Sequence, residues 1–307
     1  MAKITSETLI VCLVSVLLPT GILGVPTWWR DCEILDLTHE LIHGEAAHAV
    51  KAYRDNPFKK DTLINGMAEG GMDPFYVHFN KISMTEHEGT HMDAPKHVLA
   101  NEEVAATAAT VEQVPLPRVM GEACVVDVPD AHKDNIDYEI TPNDLKDWER
   151  AHGPFHSDCI VVIRSGREQH WRNMQKFLGV KDGDDPAHLN KHGWPDKMHW
   201  PALSGESAQW LLDNRQIKAI AQDGVSVDGG QQFDWAHSVH SALLGSGRVA
   251  FENVANLSRL PHRGATFVGL PLKLKGGSGS PSRVFAYGWN GPNDPCRYKH
   301  PTQNEEL

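Results

Sequence analysis

Short runs rich in β-branched and apolar residues recur along the chain, at Glu33–Leu37, Val77–Met84, Ala123–Val128, Ile160–Ile163, Ala219–Gln222, Val249–Glu252, Thr266–Leu274 and Arg283–Tyr287. Their length and bounding turn residues predict β-strands. Helical patterning lies between them. Thr141 is a fitting N-cap with Pro142 at the first helical position, which predicts a helix through Trp148 to about His152, stopped by Gly153-Pro154. Ser204 caps a second helix whose apolar stripe is Ala208, Leu211 and Leu212, and Arg167–Leu178, closed by Gly179, predicts a third. Strands mixed with helices, without strict alternation, imply a mixed α/β fold and not a doubly wound parallel sheet. No repeat and no linker composition interrupts the chain after residue 30, so one domain is expected, with residues 181–199 as a long inserted loop.

The two ends differ from this pattern. Residues 1–24 carry Lys3, then an apolar stretch Leu9–Leu18, then Pro19, Gly21 and Gly24, the layout of a signal peptide. The apolar stretch falls short of the roughly 20 residues that span a bilayer, so a secreted protein, free of the membrane after cleavage, is expected. The domain then occupies residues 25–290, and residues 291–307 form a polar tail. Cys12 leaves with the signal segment; Cys32, Cys124, Cys159 and Cys296 remain, enough for two disulfides in any of three pairings.

Composition narrows the partners. The formal charge of −11, with no basic tract longer than pairs such as Lys59-Lys60, argues against nucleic acid. Trp28 and Trp29 are read as packing residues, and Asn256-Leu257-Ser258 as a formal glycosylation sequon inside a structured block.

Chemistry concentrates in one place. His87, His91, Asp93 and His97 crowd imidazole and carboxylate donors into the run from 87 to 97. That donor set suits zinc or another divalent first-row ion, and three protein ligands plus water is the hydrolytic arrangement. His87-Glu88-Gly89-Thr90-His91 also satisfies the HExxH pattern of zinc peptidases. That pattern works on a helix, and here Gly89 and Thr90 are poor helix formers while Pro95 disfavours helix at Ala94. A strand running into a tight loop is expected instead, with His87 and His91 on the turn and Glu88 free to point elsewhere.

The run His87–His97 resembles the HxGTHxDxPxH signature of the cyclase family, which includes kynurenine formamidases and isatin hydrolases. Arg164-Ser165-Gly166, Trp200–Ser204, Asp223–Asp228, His240, Phe251–Leu257, Gly264–Lys273 and Gly276–Arg283 resemble further family blocks in the same order, over roughly residues 31–290. Asp223-Gly224 and Gly229-Gly230 depart from the usual Asp-Thr and Pro-Gly, a difference that bears on the substrate pocket. The resemblance implies a cyclase-like fold of the swivelling β/β/α type, one or two zinc or manganese ions, and a homodimer. It implies His87, His91 and Asp93 as metal ligands, Asp93 able to bridge, His240 and Glu252 completing a second site, and His97 as the catalytic histidine. His237, three residues before His240, is by its position either a surface-loop histidine or a further base beside the site. The implied substrates are small aryl amides, N-formyl-L-kynurenine or, as the alternative, isatin, and the spacing of the blocks looks more like the isatin hydrolase branch. A secreted peptidase and a non-catalytic binding protein are the rival readings.

Overall fold

The computed structural model describes residues 32–44, 55–68, 74–99, 101–186, 188–191, 196–232, 237–289 and Cys296; the signal segment, Trp28, Trp29 and the polar tail apart from Cys296 lie outside these. The main sheet contains β1 (Ile34–Asp36), β4 (His91–Asp93), β5 (Met120–Asp127), β7 (Cys159–Arg164), β9 (Ala219–Gln222), β10 (Val249–Glu252), β11 (Thr266–Pro271) and β12 (Gly279–Tyr287). Strands β5, β7, β9 and β10 run parallel, whereas β11 is antiparallel to β5 and β12 antiparallel to β11. Short β4 pairs antiparallel with both β10 and β12, which closes the sheet into a barrel with β1 attached outside on β12.

The parallel strands are apolar on both faces because both are covered. On β5, Ala123 and Val125 point into a core shared with Met92, Val162, Phe251 and Phe267, while Cys124 and Val126 join a second core with Val161, Leu145, Trp148 and Leu211. That second layer consists of α2 (Pro142–His152), α4 (Gly205–Arg215) and α5 (Val239–Gly245). Thr141 caps α2 through Asp144 and Ser204 caps α4, as their residue types predict. A small parallel pair, β6 (Glu139–Ile140) with β8 (Ala202–Leu203), leads into these two helices.

Two expectations are corrected. The single helix over Arg167–Leu178 is broken into a 3-10 turn at Arg167–His170 and the short α3 (Met174–Phe177), because Asn173 is extended and its side chain recaps the chain at Lys176. His91 does not sit on a turn; it begins β4, and only the preceding residues form the turn. Patterning also missed α1 (Glu102–Thr107) and the strand β2 (Lys59–Ala68), which pairs with β3 (Phe75–Ser83) in a ribbon outside the barrel. The cysteines join as Cys32–Cys296 and Cys124–Cys159. Among the described residues no helix is long and apolar enough to cross a membrane.

Candidate metal centre

Strand β4 brings the chemistry together. Residues two apart on a strand share a face, so His91 and Asp93 point one way while Met92 points into the core. Opposite His91 in the register with β10 stands Glu252, whose Oε2 lies 3.5 Å from His91 Nε2. Gly89, at φ +63, turns the chain just before β4, and a β-carbon there would lie 2.6 Å from Leu41 Cδ2. The turn places His87 beside its strand neighbour, with Nδ1 2.6 Å from Asp93 Oδ1. His240, in the first turn of α5, reaches the same carboxylate from the other side, with Nε2 3.3 Å from Asp93 Oδ2 and 3.2 Å from Glu252 Oε1. His97 stacks on His87 at 3.7 Å between ring centroids.

These donors form two overlapping groups, His87–His91–Asp93 and Asp93–His97–His240, with Asp93 common to both. Ligands at 2.0–2.2 Å on the corners of a tetrahedron lie about 3.3–3.6 Å apart, and the His91–Asp93, His240–Asp93 and His240–Glu252 separations are 3.2, 3.3 and 3.2 Å. The nitrogens turned away from the centre are held: His91 Nδ1 donates to the Gly89 carbonyl at 2.9 Å, and His240 Nδ1 to Asp228 Oδ2 at 2.7 Å. Such partners fix each ring's orientation and aim its Nε2 at the centre, where a cation can take the place of the proton. The donor set therefore fits a divalent metal. His87, His91, Asp93 and His240 can hold it, with Glu252 completing the outer position.

Electrostatics point the same way. Burial works to lower the pKa of His91, but Asp93 and Glu252 outweigh it and raise it to about 9. Burial likewise opposes charge on His240, and Asp228, Asp93 and Glu252 raise it well above its usual value. Asp93, despite its burial, is held far below the carboxylate range by His91, His97, His240 and His87. His97 differs: burial is the largest influence and, together with the neighbouring imidazoles, outweighs the pull of Asp93 and lowers it to about 3. It is a neutral imidazole at physiological pH.

The rest of the candidate set separates cleanly. Glu88 is buried, accepts the Thr85 hydroxyl at 3.3 Å, and is not among the converging donors. The segment is a turn leading into a strand, so the HExxH helix is absent. His237 is exposed beside α4 and α5, in a groove with Gly205, Gln209 and Ser241, outside the donor groups. Asp223 is buried and accepts from Ser165 N, Ser165 Oγ and Gly166 N at 2.9, 2.5 and 2.8 Å, so this residue pins one loop at the barrel mouth. Burial raises its pKa to about 6. The side-chain nitrogen of Asn256 donates to the Asp36 carbonyl at 2.7 Å, which occupies the sequon's amide. Sequence reasoning assigned no role to Asp228.

The fold and these donors define a candidate divalent-metal centre set in a mixed α/β barrel. The Cyclase family profile matches residues 35–229, and the chain belongs to that family. Isatin hydrolase of Roseibium aggregatum is 25% identical over 225 residues, which cover 73% of this chain and 80% of that protein. Kynurenine formamidase of Salinibacter ruber is 26% identical over 212 residues, 69% of this chain and 81% of its own. Among solved structures, isatin hydrolase A from Ralstonia solanacearum superposes with a TM-score of 0.71 at 25% identity, covering 94% of this chain and 100% of that one.

Proposed function

We propose that the protein hydrolyses a small amide whose nitrogen is attached to an aromatic ring, using zinc or manganese held by His87, His91, Asp93, His240 and Glu252. The observation that carries the reading is the convergence of His87, His91 and His240 on the two oxygens of Asp93, with Glu252 beside His91 and His240. A divalent ion supplies an activated water and a sink for the oxyanion of the tetrahedral intermediate. His97, neutral and stacked against His87, takes the water's proton and returns it to the departing aryl amine. Asp228 and the Gly89 carbonyl keep His240 and His91 oriented while this happens.

N-formyl-L-kynurenine, opened to kynurenine and formate, and isatin, whose ring amide opens to isatinate, are the two substrates proposed. The similarity to a kynurenine formamidase supports the first, and the similarity to isatin hydrolases in sequence and structure supports the second. An absorbance assay on both, side by side with added zinc or manganese and a chelator control, tests the reading. Failure of the fully metal-loaded protein to turn over either amide overturns it.

Secretion and a homodimer belong to the same proposal. Two disulfides suit an oxidising compartment. Ile64, Phe75 and Phe79 are 46%, 52% and 55% exposed on a two-stranded ribbon, and such a ribbon is marginal without something packed on it. The N-terminal mass of the exported protein and its solution mass check the two points.

A further inference from the structure

We infer that Glu86 and Ser278 form a relay that orients His87 and selects the ring nitrogen it presents to the metal. The inference rests on the metal-centre reading above and concerns two residues outside the donor set. Ser278 lies just before β12, the strand that closes the barrel against β4. Its hydroxyl is 2.9 Å from His87 Nε2 and 2.8 Å from Glu86 Oε2, and its backbone N–H donates to the same carboxylate oxygen at 2.9 Å.

A hydroxyl has one proton to give and lone pairs to receive. The Glu86 carboxylate only accepts, so the Ser278 proton goes to Glu86 and the Ser278 oxygen is left as an acceptor. It then takes its hydrogen bond from His87 Nε2–H. With that proton fixed, Nδ1, the atom 2.6 Å from Asp93 Oδ1, is the ring nitrogen left to face a metal. His91 and His240 reach the same result in the opposite sense: their Nδ1 atoms donate to a carbonyl and a carboxylate, and they present Nε2. Those acceptors are unambiguous. A lone serine behind His87 would be able to donate as readily as accept, and Glu86 removes that ambiguity.

The backbone is shaped for this contact. A β-carbon on Gly279 would lie 2.3 Å from His87 Cε1 and 2.7 Å from Nδ1, and one on Gly277 would lie 3.2 Å from Glu86 Oε1. The glycines on either side of Ser278 thus let the chain lie directly against the ring and the carboxylate. This gives the Gly-Ser-Gly segment a physical task that its composition alone does not reveal.

The test is zinc affinity by chelator competition on the full-length mature protein, together with the melting temperature of the metal-free form. Ser278→Ala removes the acceptor, and Glu86→Gln introduces an amide that can donate to Ser278 and turn the hydroxyl toward Nε2. Each is expected to weaken zinc binding by about 10- to 100-fold, the usual effect of losing a partner behind a ligating histidine, with the metal-free melting temperature little changed. Glu112→Ala is the control, because Glu112 tethers the same loop by accepting from Gly276 N at 3.0 Å without touching His87. In zinc-loaded wild type labelled with ¹⁵N, His87 is expected to show a slowly exchanging proton on Nε2, lost in Ser278→Ala. Zinc affinities within twofold of wild type in both relay variants overturn the inference, as does an equal loss in Glu112→Ala, which would mean loop tethering. Absence of zinc binding in the wild type would instead overturn the metal-centre reading itself.

Discussion

Asp93 and His240 meet across the barrel mouth, Oδ2 to Nε2 at 3.3 Å, while the other oxygen of Asp93 faces His87 and His91. One carboxylate thus serves two groups of imidazoles. Replacing Asp93 by Ala is expected to abolish stoichiometric metal binding altogether, because both groups lose their common donor. Glu252→Ala removes a donor beside His91 and His240 only, and is expected to leave the His87–His91–Asp93 group able to hold an ion with reduced affinity. Elemental analysis of the two variants beside wild type checks the difference; equal metal content in all three would remove the bridging role.

Glu88 provides a test of the zinc-peptidase alternative. In an HExxH enzyme that glutamate is the base, and Gln in its place removes turnover. Here it is buried and turned toward Thr85. Glu88→Gln is expected to keep kcat within a fewfold of wild type, with any cost of about 1–3 kcal/mol falling on stability. A thousandfold fall in kcat with metal retained would restore the peptidase mechanism.

The limits of sequence reading show at β4. The four side chains singled out by their spacing, His87, His91, Asp93 and His97, lie together in the structure, and β9 and β10 begin and end where their apolar runs do. The three residues of β4 carry no local strand signal, because the strand exists through pairing with β10 on one side and β12 on the other. Asp228 and Ser278 are hidden because their partners are not sequence neighbours: Asp228 reaches His240, 12 residues on, by accepting from the backbone at the start of α5, and Ser278 reaches His87, 191 residues away, through the pairing of β12 with β4. The helix expected over Arg167–Leu178 failed locally, where Asn173 offers its side chain to the backbone and starts a new turn.

The raised histidines predict how the metal-free protein responds to pH. His91 titrates near 9 in the folded cluster and His240 well above its usual 6.5. A group whose folded pKa is raised stabilises the fold fully below its unfolded value and loses that contribution as pH rises through the folded one. Asp93 works in the opposite direction: its depressed pKa stabilises the fold above 3.8 and loses effect only well below it. The metal-free protein is therefore expected to lose stability as pH rises from about 6.5 to 9, whereas metal affinity rises over the same window, since the ion must displace these protons. Melting curves of metal-free and loaded protein across that range check the crossing trends. A metal-free form that gains stability toward pH 9 would contradict the assigned charges.

His97 is where geometry leaves the sharpest experimental choice. It shares the Asp93–His240 group, yet it lies four residues beyond β4, with its ring stacked on His87. Burial and the surrounding imidazoles keep it neutral, so at pH 7 its lone pair is available either to a cation or to a proton from water. As the proton carrier of the proposed reaction, its replacement by Ala is expected to lower kcat by about 10²- to 10⁴-fold with metal content near normal. A ligand would behave differently: metal occupancy would fall along with kcat, and excess zinc would restore part of both. Metal content and turnover measured on one preparation separate the two roles. The same variant with undiminished kcat would take His97 out of the chemistry, and His237, exposed and away from the donor groups, is too poorly placed to replace it without movement of the segment before α5.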